Sequence, residues 1–321
     1  MSNNKPIAEW KTGESVEGFF ILKEAFTKTA TNGKAYLSCK FADKSGVISG
    51  TMWDYTEPIG PSDTGKIVKI RGSVSEYKGT PQVTIEKIRL KKDDDAVEIE
   101  SLVPSAPLAS DVMINTVMSL LSTIQDPQIG KLCIEIVTAH QSNWAIAPAA
   151  KGVHHAHLHG LLMHTMNMMR AADSLAAIYG DTVNRDLLLA GAFLHDIGKL
   201  SEYKFDEQTG LITGFTVRGQ LIGHLVLGAE EVRDTAKRIG MDEEKSLLLE
   251  HMVLSHHGNP EWGAAVKPAC VEAELLSLID LADARGEIFR EEYEKTEVGT
   301  LSEKCYALDG RRVFNHGLGK Q

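Results

Sequence analysis

Apolar and polar positions alternate along the first ninety residues, and the alternation comes in short runs. Residues 16–23, 35–41, 47–53, 67–74 and 82–88 each read as a strand of half-buried character. The breaks between them carry turn chemistry. Asn32-Gly33 is a strong hairpin signal, Asp43-Lys44-Ser45-Gly46 turns again, and Pro58, Gly60, Pro61 and Gly65 mark a loop. Lys78-Gly79-Thr80-Pro81 separates the last two runs.

From Asp111 the period changes to that of helices. Val112, Ile114, Val117, Leu120, Leu121 and Ile124 keep helical spacing, which breaks at Asp126-Pro127 and resumes with Leu132, Ile134, Ile136 and Val137. Further helices are predicted over 161–179, 186–196, 220–239, 243–257 and 269–293, with a hairpin over 203–215 turning at Glu207-Gln208-Thr209-Gly210. Gly198 reads as the stop of the second of these helices. The tail beyond Thr296 carries no clear signal. Between the two halves lie Asp93-Asp94-Asp95 and Val103-Pro104-Ser105-Ala106-Pro107, the composition of a linker. The expected architecture is multidomain. Residues 1–92 form a small all-β barrel of the OB type, 93–110 a linker, and 111–321 an all-α domain.

Charge follows the same division. Up to Lys92 there are 15 basic and 10 acidic residues; beyond it there are 19 basic and 34 acidic. A basic front on an acidic back fits a nucleic-acid-binding module joined to a module of different chemistry. In the barrel, Phe19, Tyr36, Trp53 and Tyr77 are candidate stacking aromatics, with Lys23, Lys34, Lys40, Lys69 and Lys78 as candidate phosphate partners. Cys39, Cys133, Cys270 and Cys305 are far apart and form no Cys-x-x-Cys pair. They read as reduced thiols, three of them buried, in a cytoplasmic protein. No apolar run is long enough to span a bilayer.

The helical half contains polar residues where apolar ones are expected. His164, His195, Asp196, His224, His256, His257 and Asp280 interrupt otherwise apolar helices, one or two to a helix. Buried polar groups need partners, and a metal ion is one. Histidine with carboxylate suits Mn²⁺, Fe²⁺, Co²⁺, Ni²⁺ or Zn²⁺, and a set without cysteine is unlike structural zinc. So many ligands exceed what one tetrahedral ion takes, which points to two ions with Asp196 between them.

His164, the His195-Asp196 pair and Asp280 resemble the H…HD…D signature of the HD superfamily of metal-dependent phosphohydrolases. His224 and Ser255-His256-His257-Gly258 are similar to its two-metal branch. The OB-like front, Pro148-Ala149-Ala150-Lys151, His154-His155, residues 160–165, residues 194–199 and the His-His-Gly stretch together resemble the YhaM-type 3′–5′ exoribonucleases, over nearly the whole chain. The resemblance implies a first ion on His164, His195, Asp196 and Asp280, and a second on Asp196, His224, His256 and His257. Mn²⁺ is the leading metal, with Mg²⁺ added to the alternatives above. It also implies 3′–5′ cleavage of single-stranded RNA, with single-stranded DNA as a second substrate. The residues themselves leave Asp283, three positions from Asp280 on the same helix face, open as the ligand. His154, His155, His157 and His159, four histidines in six residues, read either as a metal site by themselves or, for His157 and His159, as an exposed loop without a metal role; His159 also stands where such motifs carry a small residue, often glycine.

Lys199 is expected to act beside Asp196 as a fixed positive charge on phosphate, or else to complement the helix end. Lys151, His154, His155 and Arg218 are candidates for gripping the substrate backbone. Two other readings share these residues: a phosphohydrolase of small nucleotides or cyclic dinucleotides, and a nucleic-acid adaptor with an inert HD domain. The chain has no Gly-Tyr-Pro tripeptide of the HD-GYP type.

Overall fold

Alternate residues of the front half, among them Val16, Phe20, Leu22, Leu37, Phe41 and Val83, meet in one apolar core. The computed structural model describes residues 4–55, 58–77, 79–149, 157–206 and 209–318. It forms the front into β1 (Ser15–Thr29), β2 (Ala35–Asp43), β3 (Gly46–Trp53), β4 (Ile67–Tyr77) and β5 (Thr80–Leu90). β1 is long enough to serve two neighbours. Ser15–Ile21 pair with β4 and Ile21–Thr29 with β2, and an irregularity between Leu22 and Glu24 bends the strand between the two ladders. A parallel pairing of β3 with β5 closes the barrel in the order β1-β2-β3-β5-β4. This is the OB-fold.

The acidic run after β5 is anchored rather than free. Asp95 accepts two hydrogen bonds from the Arg89 guanidinium at 2.6 and 2.8 Å and one from the Lys92 amide. These donors hold its carboxyl below the ordinary carboxylate range. The chain falls into two compact units, Met1–Ser105 with Phe205–Thr213, and Ala106–Lys204 with Gly214–Gln321.

The second unit is helical: α1 (Ser110–Ser122), α2 (Pro127–Ile146), α3 (Gly160–Tyr179), α4 (Arg185–Leu194), α5 (Lys199–Glu202), α6 (Val217–Ile222), α7 (His224–Ile239), α8 (Glu243–Ser255) and α9 (Val271–Lys295). A two-stranded hairpin, β6 (Tyr203–Phe205) and β7 (Ile212–Phe215), stands between α5 and α6. The break at Asp126-Pro127 is a helix start. Asp126 accepts from the Gln128 and Ile129 amides, and Pro127 sits where no amide is needed. α4 is buried from Leu187 to Leu194, as its unbroken apolar sequence requires.

Four expectations change, the last being that two cysteines rather than three are buried. Gly198 is not a left-handed stop; its φ and ψ are −61° and −19°. Its role is close approach: a Cβ there would stand 2.1 Å from the His224 carbonyl oxygen. The helix expected over 220–239 is broken at Gly223, whose φ of +80° ends α6 and starts α7. His224 is thus the first residue of a helix rather than an interior one. The tail is also structured, with Leu308 and Val313 packed against Ile288 of α9. Cys39 and Cys133 are buried, Cys270 and Cys305 only half-buried, and all four are free thiols. Among the described residues no helix is long and apolar enough to cross a membrane.

Candidate metal centre

Helix ends deliver the polar residues to one place. His195 caps the C-terminus of α4 and Asp196 follows it. His256 caps α8, followed by His257, and His224 opens α7. His164 comes from the buried interior of α3, and Asp280 and Asp283 from α9. Gly198 lets the first turn of α7 reach the chain just after Asp196.

Two groups of ligand atoms meet there. In the first, His164 Nε2 lies 3.1 Å from His195 Nε2, 3.2 Å from Asp280 Oδ1 and 3.7 Å from Asp196 Oδ2. In the second, His224, His256 and His257 each offer a nitrogen within 4.8 Å of the others. The second group meets the other oxygen of the same carboxylate, for His224 Nε2 and His256 Nε2 each stand 3.7 Å from Asp196 Oδ1.

The imidazoles are oriented from behind. Nδ1 of His195 bonds the Ala192 carbonyl and Nδ1 of His256 the Val253 carbonyl. Nδ1 of His164 meets Asp283 at 2.7 Å, and Asp283 also accepts from Asn167. Nδ1 of His224 faces Glu202, which takes the His224 amide as well. Each Nδ1 so tied leaves Nε2 to point into the site.

Four buried atoms of this centre then have no hydrogen-bond partner among the described residues: Asp196 Oδ1, His224 Nε2, His256 Nε2 and His257 Nδ1. Such atoms are rare in folded proteins unless an ion or water satisfies them. Three imidazole nitrogens and a carboxylate oxygen are the donor set of a divalent transition metal, so the residues fit one. Their charge states agree. Burial, with His195 nearby, pushes His256 well below the ordinary histidine range, and burial lowers His257 too. Burial opposes the charge of Asp196, yet Lys199 and His195 hold its carboxyl well below the usual range. Against its own burial, His164 is lifted to about 10 by Asp280 and Asp283. Carboxylates that favour a proton there favour any cation.

Asp280 therefore faces the Nε2 side of His164 and Asp283 its rear. Lys199 Nζ bonds Asp196 Oδ2 at 2.6 Å. A cavity of about 200 Å³ opens over this centre, lined by Asp196, Lys199, His256, His257 and Asp280 and also by Trp262, Ser277 and Leu281.

The other expected residues fall elsewhere. Lys151, His154 and His155 lie outside the described residues, as does Lys78. Arg218 is exposed and paired with Glu230 at 2.6 Å. Phe19 is not a stacking surface: it is 4% exposed, with Lys69 Nζ 5.5 Å and Arg89 Cζ 6.0 Å from its ring centroid. Tyr36 and Trp53 stand side by side on the barrel surface. They are cross-strand partners with ring centroids 5.0 Å apart, and Trp53 is 57% exposed. His157 is buried against Glu287, and His159 holds a left-handed φ of +64°, the conformation in which glycine is the usual occupant. Glu202, Asn167 and Trp262 carry no signal in the sequence beyond their neighbourhood: Glu202 follows the His-Asp motif and Trp262 follows His256-His257-Gly258.

Comparison with known proteins gives the same picture. The family model described as the HD domain matches residues 161–285. The 3′–5′ exoribonuclease YhaM of Halalkalibacterium halodurans is 34% identical over 313 residues, 97% of this chain and 96% of the relative. That of Shouchella clausii is 35% identical over 323 residues, 99% and 98% of the two chains. Two solved structures are similar at 19% identity. The second OB-fold domain of replication protein A from Methanococcus maripaludis covers 30% of this chain and 100% of its own, at a TM-score of 0.22. The HD domain of the L. monocytogenes phosphodiesterase PgpH covers 50% and 79%, at 0.29. By full-length identity above thirty per cent, the chain belongs to the YhaM family of 3′–5′ exoribonucleases.

Proposed function

We infer that this chain is a metal-dependent exonuclease that shortens single-stranded RNA from its 3′ end, working with two divalent cations that share Asp196. The observation that carries the reading is the position of that carboxylate. One oxygen faces His164 and His195, the other faces His224 and His256, and the atoms of the second group have no other partner among the described residues. His164, His195, Asp196 and Asp280 would hold one ion; Asp196, His224, His256 and His257 would hold the other. When bound, such ions make water nucleophilic near neutral pH and neutralise charge on the phosphate. Mn²⁺ is the metal we propose, since histidine with carboxylate suits it.

The chain's own residues do the rest. Lys199, on the cavity wall and only 11% exposed in its side chain, offers a fixed ammonium beside Asp196 where a phosphate oxygen arrives. Asp283 and Glu202 keep His164 and His224 in register from behind. On the barrel, the Tyr36–Trp53 pair stacks bases of the strand without regard to sequence. Lys28 lies in register with Tyr36 on the neighbouring strand and supplies charge there. The polarity and the preference for RNA rest on the family. Four free thiols fit a reducing compartment, the cytoplasm.

The test is a 5′-labelled single-stranded RNA incubated with the protein and Mn²⁺, with EDTA, and with the Asp196→Asn variant. A ladder shortening from the 3′ end, abolished by EDTA and by the substitution, is the expected result. Inert RNA beside hydrolysis of a cyclic dinucleotide would replace this reading with the small-nucleotide one. Binding without hydrolysis of either would replace it with the adaptor.

A further inference from the structure

The cavity over the metal centre is lined by residues of two kinds. Asp196, Lys199, His256, His257 and Asp280 are the metal-centre residues on its wall, with the Ser277 hydroxyl beside them. Trp262, Leu281 and Ala284 are the apolar ones. Both kinds come largely from the same two elements: α9 carries Ser277 and Asp280 together with Leu281 and Ala284, and the chain leaving α8 carries His256 and His257 together with Trp262.

Trp262 is held in this position but not buried. It ends a short turn, Pro260–Trp262, pinned by the Trp262 amide on the Asn259 carbonyl at 2.9 Å and the Gly263 amide on the Pro260 carbonyl at 3.0 Å. Gly258 and Gly263, at φ +78° and +103°, make the turn tight on both sides of the indole. Yet Trp262 is 59% exposed. An exposed indole on a hydrogen-bonded turn beside a phosphohydrolase centre is costly as packing and useful as a surface, because tryptophan is ordinarily among the well-buried residues.

A nucleotide joins the same two characters that the lining offers, a charged phosphate and a flat apolar ring. Resting on the exonuclease reading above, we propose that Trp262 is the stacking surface for the base of the 3′-terminal nucleotide, with Leu281 and Ala284 lining the same cavity. The scissile phosphate then lies at Asp196 and Lys199. Stacking uses the face common to all four bases, so the subsite accepts any terminal base and needs an unpaired one. A cavity of about 200 Å³ is below the roughly 300–1,000 Å³ of ordinary ligand pockets, so it takes part of one terminal residue and has no room for a paired end.

The experiment compares the wild type, Trp262→Ala and Trp262→Phe on two Mn²⁺-dependent RNA substrates. One ends in an ordinary nucleotide; the other is identical except for an abasic 3′-terminal residue. Metal content of each protein is measured alongside. The wild type should lose roughly 5- to 150-fold in kcat/KM on the abasic end, the range of one base stack. Trp262→Ala should lose a similar factor on the ordinary end, through KM, and should no longer distinguish the two ends. Trp262→Phe should keep most of the discrimination, and metal content should stay at the wild-type level in both. A wild type indifferent to the abasic end, or a Trp262→Ala that still discriminates against it, overturns the stacking subsite while leaving the exonuclease intact. Loss of metal from Trp262→Ala, restored in Trp262→Phe without restored discrimination, assigns the indole to packing and overturns it too. A wild type that shortens neither substrate removes the exonuclease reading and the subsite with it.

Discussion

Asp196 and His256 are related through one oxygen. Asp196 Oδ1 lies 3.7 Å from His256 Nε2, and neither atom has a hydrogen-bond partner among the described residues, while Asp196 Oδ2 turns toward His195 Nε2 at 3.3 Å. A single carboxylate thus faces two groups of imidazoles that come from four different helices. The chemistry proposed for the chain depends on that division.

The carboxylates behind the imidazoles give the first prediction. Asp283→Asn should weaken metal binding at the His164 group, and Glu202→Gln at the His224 group, each by about 10- to 100-fold, the usual cost of losing a partner behind a metal-bound histidine. Calorimetric titration with Mn²⁺ checks this. The two variants should each weaken one of two binding steps; equal weakening of both steps by either variant would contradict the pairing.

Gly198 tests how the second group is assembled. In Gly198→Ala the new methyl would fall 2.1 Å from the His224 carbonyl oxygen and 2.6 Å from the Gly228 amide nitrogen, so the first turn of α7 has to move. Overpacking of this kind costs about 1–3 kcal/mol. At roughly 2–4 °C per kcal/mol for a domain of this size, thermal unfolding should shift down by several degrees. The second Mn²⁺ step should weaken more than the first. An unchanged melting temperature and unchanged second step would show that α7 does not need this approach.

On the barrel, Trp53→Ala should raise KM for a long single-stranded RNA by roughly 5- to 150-fold and leave cleavage of a dinucleotide unchanged, because a stacked base contributes about 1–3 kcal/mol. Phe19→Leu should have no such effect, since Phe19 is covered. Steady-state kinetics on both substrate lengths separates the two. Equal losses on long and short substrates would remove the barrel from strand holding.

Stability should carry a pH signature from His140 of α2 and Glu231 of α7, which hydrogen-bond across the two helices. Glu231 raises the His140 pKa above its ordinary 6.5, against partial burial. A raised value means the pair stabilises fully below pH 6.5 and ceases to as pH climbs through the raised value. His140→Gln should therefore lower the melting temperature by about 1–3 °C at pH 6, in line with up to ~1 kcal/mol for a pair at the surface, and by less at pH 9. Melting curves at the two pH values decide it; a larger loss at pH 9 would reverse the sign.

Strands, helices and the clustered polar residues were legible in the sequence because each leaves a local trace. Alternation marked the barrel, and His195-Asp196 at the end of the apolar run 187–194 marked the centre. What was not legible depends on which backbone passes which. Gly198 looks like a helix stop until α7 is seen against it, and Phe19 looks like a platform until Lys69 and Arg89 cover it. The choice between Asp280 and Asp283 turns on which nitrogen of His164 each one meets, which spacing along α9 does not determine. Glu202 and Trp262 are single residues near motifs, and only the third dimension brings them to the site.

The most direct measurement is anomalous diffraction at the manganese edge from crystals of the protein grown with Mn²⁺. Two peaks are predicted, one among His164, His195 and Asp280 and one among His224, His256 and His257, with an oxygen of Asp196 on each. A single peak, or two that do not share Asp196, would contradict the bridged centre on which the proposed hydrolysis rests.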